Sequence, residues 1–523
     1  MISSLGHLFR LARAGFVFAR EGVFSMIDPA SVPAPARAGL YLAHLIERPK
    51  TDSRAGRLSA ALTALGPTYV KLGQFLATRP DIVGMPIASE LETLQDKMPP
   101  FPQKEAEAAV EKAFGVPLKD VFASFGPAVA AASIAQVHRA EIDIPEGRKP
   151  VAVKVLRPGI ERRFKIDQDA FVYVARKAEE FSAEAQRLRM IETAETLRRS
   201  VALEMDLRLE AAALSEMAEN TTDDPDFRVP AVDWLRTAKD VLTLEWIVGT
   251  HLSDHDALRA KGFDLPQLGQ KVIQTFLRHA LRDGFFHADM HPGNLFVDDS
   301  GRIVAVDFGI MGRLGPKERR FLAEILFGFI TRNYHRAAEV HFEAGYVPPQ
   351  HSVESFAQAI RAIGEPIHNR TAAEISMAKL LMLLFEVTGL FDMRTRPELL
   401  LLQKTMVVVE GVARTLDPQL DMWKTAEPVV REWMERNLGP VGRIEDAAGG
   451  AAEIGKFMGQ VPGLLSRGAA LVEQLDVITR NGLVLSPETI ASIGRAEARR
   501  NRWMTIALWA IAGLLAYIVY LLR

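Results

Sequence analysis

The pattern of apolar and polar positions changes character several times along the chain. Residues 36–115 carry helical spacing, broken at Gly66-Pro67, Pro80, Pro86 and Pro99-Pro100. Residues 120–156 switch to aromatic and β-branched positions: Phe122, Phe125, Val129, Ile134, Val137 and Ile142. They lie around Gly126-Pro127 and Pro145-Glu146-Gly147 and lead into Val151-Ala152-Val153-Lys154-Val155. This pattern predicts strand, loop, strand, turn, strand. Residues 164–220 return to helix, and 240–248 (DVLTLEWIV) predict a strand ending at Gly249. A helix follows over 265–284 and a short strand over 303–306. Beyond about residue 315 the spacing is helical almost to the end, with a Gly-rich break around 439–463. Few strands followed by many helices predict an α+β, two-lobed body. The boundaries are a helical extension over 1–115, a small lobe over 116–250 and a large helical lobe over 251–438. A helical membrane-proximal segment (439–502) and a transmembrane helix (503–522) complete the chain.

The last segment, WMTIALWAIAGLLAYIVYLL, is twenty residues without a charge, about the length that crosses a bilayer core. Trp503, Trp509, Tyr517 and Tyr520 lie toward its ends, as interfacial aromatics do. The alternative is a buried core helix, against which the all-round apolar character argues. Arg495, Arg499, Arg500 and Arg502 precede the segment and only Arg523 follows it, which places the N-terminal bulk in the cytoplasm. At the other end, residues 1–24 mix Leu5, Leu8, Phe9, Leu11, Phe16 and Phe18 with Arg10, Arg13 and Arg20. The broken apolar run argues against a cleaved signal. It leaves a basic amphipathic helix on a membrane surface and an ordinary packed helix both open.

Composition narrows the chemistry. A length of 523 residues suggests about three domains. Charged residues make up 24% and the net charge is −2, which argues against a dedicated nucleic-acid binder. The absence of cysteine removes disulfides, thiolate metal sites and thiol catalysis together.

The strongest local signal is His287-Ala288-Asp289-Met290-His291-Pro292-Gly293-Asn294. Its H-x-D-x-x-x-x-N spacing is that of a phosphotransferase catalytic loop, in which the Asp faces the attacking hydroxyl and the Asn holds a metal. Val306-Asp307-Phe308-Gly309 follows at a distance that fits one short hairpin, and its Asp can hold Mg²⁺. Two rivals remain: turn and cap residues with no site, or a metal bound by His287, Asp289 and His291. The second leaves the D-F-G stretch unused, and His287 reads better as a packed histidine. Upstream, Lys154 in Val151-Ala152-Val153-Lys154 can pair with phosphates and with a helix carboxylate. In LEMDLRLE (203–210), Asp206 and Glu210 are four apart and share a helical face, so Glu210 is the candidate partner. Where a Gly-rich phosphate loop would sit, the chain has Ala130-Ala131-Ala132-Ser133. Alanine keeps a Cβ and resists positive φ, so this loop holds one fixed shape.

Together these residues resemble the UbiB family of atypical protein-kinase-like ATPases, linked to ubiquinone biosynthesis. The likeness runs from about residue 60 to 415. Its K-x-G-Q motif is Lys71-Leu72-Gly73-Gln74, its Ala-rich loop Ala130–Ser133 and its E-x-D motif Glu204-Met205-Asp206. The resemblance implies a two-lobed kinase-like fold in which Lys154 and Glu210 form an ion pair beside the nucleotide. Asp289 is then the catalytic-loop Asp, and Asn294 and Asp307 hold Mg²⁺. Ala130, Ala131, Ala132, Ser133, Lys154 and Glu245 are the candidate ATP-binding residues. Lys71, Gly73, Gln74, Glu204 and Asp206 are regulatory: the helix carrying Lys71 folds over the protein-substrate site, with Lys71 near Glu204. That favours ATP hydrolysis or a lipid-like substrate over ordinary protein phosphorylation. The implied partners are membrane lipids, polyprenylated quinone precursors and ubiquinone-biosynthesis enzymes, at a bacterial-type inner membrane, with a homodimer one admissible assembly. Many members end in two spans, whereas twenty residues suffice here for one. A small-molecule phosphotransferase and a non-catalytic ATP-switched scaffold are the competing functions.

Overall fold

The computed structural model describes residues 2–26, 56–367 and 387–439 with short breaks, and parts of 39–48. The chain divides into two units, Met1–Met434 and Glu435–Arg523. All that follows concerns the first. Residues 503–522, and nearly all of 439–502, lie outside the described residues. Among the described residues no helix is long and apolar enough to cross a membrane.

The N-terminal extension is helical, as the spacing predicts. Helix α1 (Ile2–Arg20) packs Ala14, Val17 and Phe18 against α2 (Arg57–Leu65) and α3 (Pro67–Ala77). Of the two readings of residues 1–24, the packed helix is the one observed. Gly66 separates α2 from α3 with φ near +105°, which glycine adopts without strain. Two further helices follow, α4 (Met85–Glu92) and α5 (Gln103–Phe114).

The small lobe is a four-stranded antiparallel sheet in the order β1-β2-β3-β5. Its strands are β1 (Ser124–Ala131), β2 (Ala135–Ile144), β3 (Gly147–Leu156) and β5 (Val241–Glu245). The alternation of side chains fixes its two faces. Val151, Val153, Val155 and Val241 pack on Ala106 and Val110 of α5. Ala130, Val137, Lys154 and Leu242 are register partners in a row across the other face.

The helix expected over 164–220 is three helices: α6 (Ile160–Phe181), α7 (Met190–Glu204) and α8 (Leu207–Asn220). The break corrects the shared face proposed for Asp206 and Glu210. Asp206 lies outside both helices, and its carboxylate caps α8 by accepting from Arg208 N at 3.2 Å. The strand over 240–248 also stops early, at Glu245. The chain then leaves the small lobe and pairs β6 (Gly249–His251) in a different sheet.

The large lobe is built on α9 (Leu265–Arg278). Asp264 caps it, and Leu268, Val272, Ile273 and Phe276 bury one face in the main core. A π-type turn, His279–Asp283, then closes at Gly284 with φ near +65°. Short strands follow: β7 (Phe285–His287), β8 (Leu295–Asp298), β9 (Ile303–Ala305) and β10 (Met311–Arg313). With β4 (Phe227–Arg228) they form a β4-β9-β8-β6 sheet and a β7-β10 ribbon. Helices α10 (Pro316–Ile330), α11 (Tyr334–Glu343), α12 (Val353–Gly364), α13 (Pro397–Leu416) and α14 (Met422–Leu438) complete the described chain. Helix α13 crosses α9 closely at Gly269, where a Cβ would stand 3.2 Å from the Ala413 carbonyl.

Candidate active site

Three elements converge on one ammonium group. Strand β3 delivers Lys154, and Asp206 starts α8 so that its first turn delivers Glu210. The Lys154 Nζ donates to both Glu210 carboxylate oxygens at 2.8 and 2.9 Å and to Asp307 Oδ1 at 3.2 Å. Glu210 is buried, whereas 46% of the Asp307 side chain is exposed. One cation thus serves two carboxylates, and their titrations separate. Burial opposes the charge of Asp307, but Lys154, the Gly309 N–H and His287 hold its carboxyl well below the usual range. For Glu210, burial and then the neighbouring Asp307 charge outweigh Lys154 and push its carboxyl up. Burial also works against the Lys154 charge, and Asp307 and Glu210 overcome it, raising its pKa.

The catalytic-loop residues are stapled to the segment around Asp307. The Ala288 N–H donates to the Ile310 carbonyl at 3.1 Å, and the Val306 N–H to the Asn294 carbonyl at 3.1 Å. The Asn294 amide donates to both the carbonyl and Oδ2 of Asp289 at 3.2 Å. The hairpin β8–β9 accounts for the spacing. Asp298 accepts from the Ser300 hydroxyl and from the amides of Ser300 and Arg302, around Gly301 at φ near +82°. His287 is buried against Phe308, with ring centroids 4.8 Å apart, and its Nδ1 accepts the Asp289 amide. Burial lowers its pKa against the pull of Asp289 and Asp307. His291 Nδ1 accepts the Gly293 amide. Both histidines are therefore engaged locally, and among the described residues no three His, Cys, Asp or Glu side chains gather as a metal site. The H-x-D-x-H alternative loses its geometry. Asn294 and Asp307 instead offer two hard oxygen donors, a set that suits Mg²⁺ completed by phosphates and water.

The alanine loop is a tight turn. The Ala132 N–H donates to the Ala135 carbonyl at 2.8 Å, and Ser133 is fully buried. Arg157 Nη2 donates to the Ala132 and Pro99 carbonyls at 3.3 and 3.1 Å. Gln136 Oε1 accepts the Phe101 amide at 2.8 Å. Gln136 and Arg157 clamp the segment 98–101 beneath the loop, a role that sequence reasoning missed. Thr405 was also missed. Its hydroxyl donates to the Ala288 carbonyl at 3.2 Å, 117 residues away in sequence.

Lys71 reaches Glu204 Oε2 at 2.6 Å, and both side chains are largely buried. This bond ties α3 to the C-terminal end of α7, two residues before the cap that positions Glu210. Gly73 is buried where a Cβ would lie 2.7 Å from Leu62 Cδ1 and 2.9 Å from Leu94 Cδ1. Gln74, also on α3, is half-buried. Glu245 is not brought to the site. It pairs with Val151 in the sheet register, so its side chain stands on the face opposite Lys154. Both its oxygens take Arg228 Nη1 at 3.1 Å.

The sequence matches the ABC1 atypical kinase-like domain over residues 93–341 and the UbiB helical domain over 360–421. A Marinobacter nauticus protein named "Probable protein kinase UbiB" is 41% identical over 445 residues, covering 84% of this chain and 81% of that protein. This chain belongs to the UbiB family. Its kinase-like α+β fold is shared with a solved structure, the Mycobacterium tuberculosis protein Rv3197 in complex with erythromycin. That likeness has a TM-score of 0.50 at 25% identity and covers 69% of this chain and 90% of the other. The ABC1 match spans the alanine loop, Lys154, Glu204, Glu210, Asp289, Asn294 and Asp307. The UbiB signature Lys71–Gln74 lies before the start of both matched stretches.

Proposed function

We propose that this UbiB-family protein is an Mg²⁺-dependent ATPase or atypical kinase that supports ubiquinone biosynthesis. The observation that carries the reading is the convergence of Lys154, Glu210 and Asp307, with Asp289 and Asn294 held beside them by backbone staples. Bound Mg-ATP would supply the transferable phosphoryl group. Asp307 and Asn294 would hold the metal. Lys154, fixed by Glu210, would neutralise phosphate charge. Asp289, oriented by the Asn294 amide, would face the incoming hydroxyl or water. The alanine turn, pinned by Arg157, would hold the phosphates in one shape. The Lys71–Glu204 bond would keep α3 in place over the site and exclude a protein substrate. The substrates and partners under this reading are lipid-like quinone precursors, membrane lipids and ubiquinone-biosynthesis enzymes. The location is an inner membrane, with residues 503–522 as anchor.

The test is ATP turnover with and without Mg²⁺, in wild type and Asp307→Asn. Cells lacking the protein are complemented with each form and their ubiquinone measured. The expected outcome is turnover in wild type alone, reduced at least a hundredfold in the variant, and rescue by wild type alone. Rescue by both forms would favour the scaffold function. Phosphate transfer to a soluble hydroxyl compound would favour the small-molecule phosphotransferase.

A further inference from the structure

Helix α1, the α2–α3 junction and the first turns of α6 enclose a second cavity, of about 380 Å³. That lies within the ~300–1,000 Å³ of small-molecule sites. Arg10, Arg13, Arg162 and Arg163 line it together with Tyr69 and Asp167. Four guanidinium groups thus face a single carboxylate, and that carboxylate is already engaged. Asp167 is buried and takes Arg10 Nη1 at 2.6 Å and the Thr68 hydroxyl at 2.8 Å. Arg163 donates to the Leu65 carbonyl at 3.2 Å, crossing Gly66 where a Cβ would stand 2.5 Å from its Nη2. Arg13 and Arg162 are exposed, and neither forms an ion pair or hydrogen bond with a described residue. The N-terminal turn of α6 lines the same cavity, and the helix dipole adds positive potential there. Like charges gathered without counter-charge repel one another. An anion with several oxygens relieves that repulsion and matches the paired donors of guanidinium.

We propose that this cavity binds a phosphate-class oxyanion, supplied as a lipid headgroup or as free phosphate. The proposal rests on the cavity alone and is independent of the nucleotide site. Its consequence is a link to α3. Leu65 and Tyr69 are walls of the cavity, and Thr68 is bonded to its acidic residue. All three precede Lys71 by one to two helical turns. An occupant therefore braces the helix that holds Glu204.

The test uses the full chain in detergent at constant ionic strength. Inorganic phosphate and dihexanoyl phosphatidic acid are titrated separately by calorimetry, with dihexanoyl phosphatidylcholine as the lipid control. The variants are Arg13→Ala with Arg162→Ala, and Arg259→Ala on a distant surface as control. Saturable binding that weakens at least tenfold in the double variant and is unchanged in Arg259→Ala is the expected result. If both probes behave so, phosphate itself is the ligand. If only the phosphatidic acid does, the ligand is a lipid headgroup. Binding that is equal in wild type and double variant, or no binding of either probe, overturns the proposal. Should the double variant fail to fold, Arg162→Ala alone is the test, expected to weaken binding about tenfold through one lost charge-assisted contact.

Discussion

At the scale of single residues, the ammonium of Lys154 is what allows two carboxylates to stand together. Removing it leaves Glu210 buried beside Asp307 with no cation between them. Breaking a buried pair from one side costs about 3–5 kcal/mol, and the half-exposed Asp307 recovers part of this through water. The expected outcome for Lys154→Ala is roughly 3 kcal/mol of lost stability, read from urea unfolding. Glu210→Gln preserves shape and removes one charge, so it costs far less. Equal unfolding midpoints for Lys154→Ala and wild type would mean that the three groups do not form the coupled set described. Lys154, Glu210, Asp289, Asn294 and Asp307 were legible in the sequence because local spacing marks four of them and helix position the fifth. Glu245 was misplaced for the opposite reason. Its facing depends on the register of β5 against β3, a pairing across 94 residues (Val151 with Glu245) that leaves no local trace.

At the scale of elements, a helix break and a hairpin set the geometry. Asp206 stops a continuous helix and starts another, and that turn is what aims Glu210 at Lys154. The sequence spacing alone favoured an unbroken helix, because an Asp at a helix cap and an Asp within a helix leave the same i, i+4 pattern. Lys71 acts on the same junction from α3. Its bond to Glu204 predicts a coupling of about 1 kcal/mol or more in a double-mutant cycle of Lys71→Ala and Glu204→Ala. Strictly additive losses of stability would exclude a direct interaction. The β8–β9 hairpin carries its own pH signature. The Asp298 carboxyl is buried, which alone would raise its pKa, but the Ser300 hydroxyl, the Arg302 amide and Arg228 bring it down to about 2. Its folded value is below its unfolded one, so it adds stability above pH ~4 that fades as the pH falls toward 2. The wild type should lose roughly 1–2 kcal/mol more than Asp298→Asn between pH 5 and about 2.5. Parallel acid-unfolding curves for the two proteins would remove Asp298 from the account.

At the scale of the whole molecule, the two ends of the chain divide the question of membrane attachment. The composition of residues 1–24 allowed a surface-lying amphipathic helix. In the fold that helix is held to the body, with Arg10 on Asp167 and Ala14, Val17 and Phe18 in a shared core. Pattern could not decide this, since the same apolar face suits a lipid surface or a protein core. Its apolar face is thereby spent on protein contacts, and only Phe16 stands among its large exposed apolar side chains with described burial. Attachment through α1 would then be electrostatic and removable by salt. The uncharged stretch 503–522 predicts the opposite behaviour, extraction by detergent alone. Fractionation of cells expressing the full chain, or a chain lacking residues 501–523, separates the two. The full chain should stay in membranes through 1 M salt and carbonate, and the truncated chain should be recovered in the soluble fraction. A truncated chain that remains bound at low salt and is released at high salt would assign attachment to the basic surface of the body. The arginine-lined cavity beside α1 is the first place to look for the residues responsible.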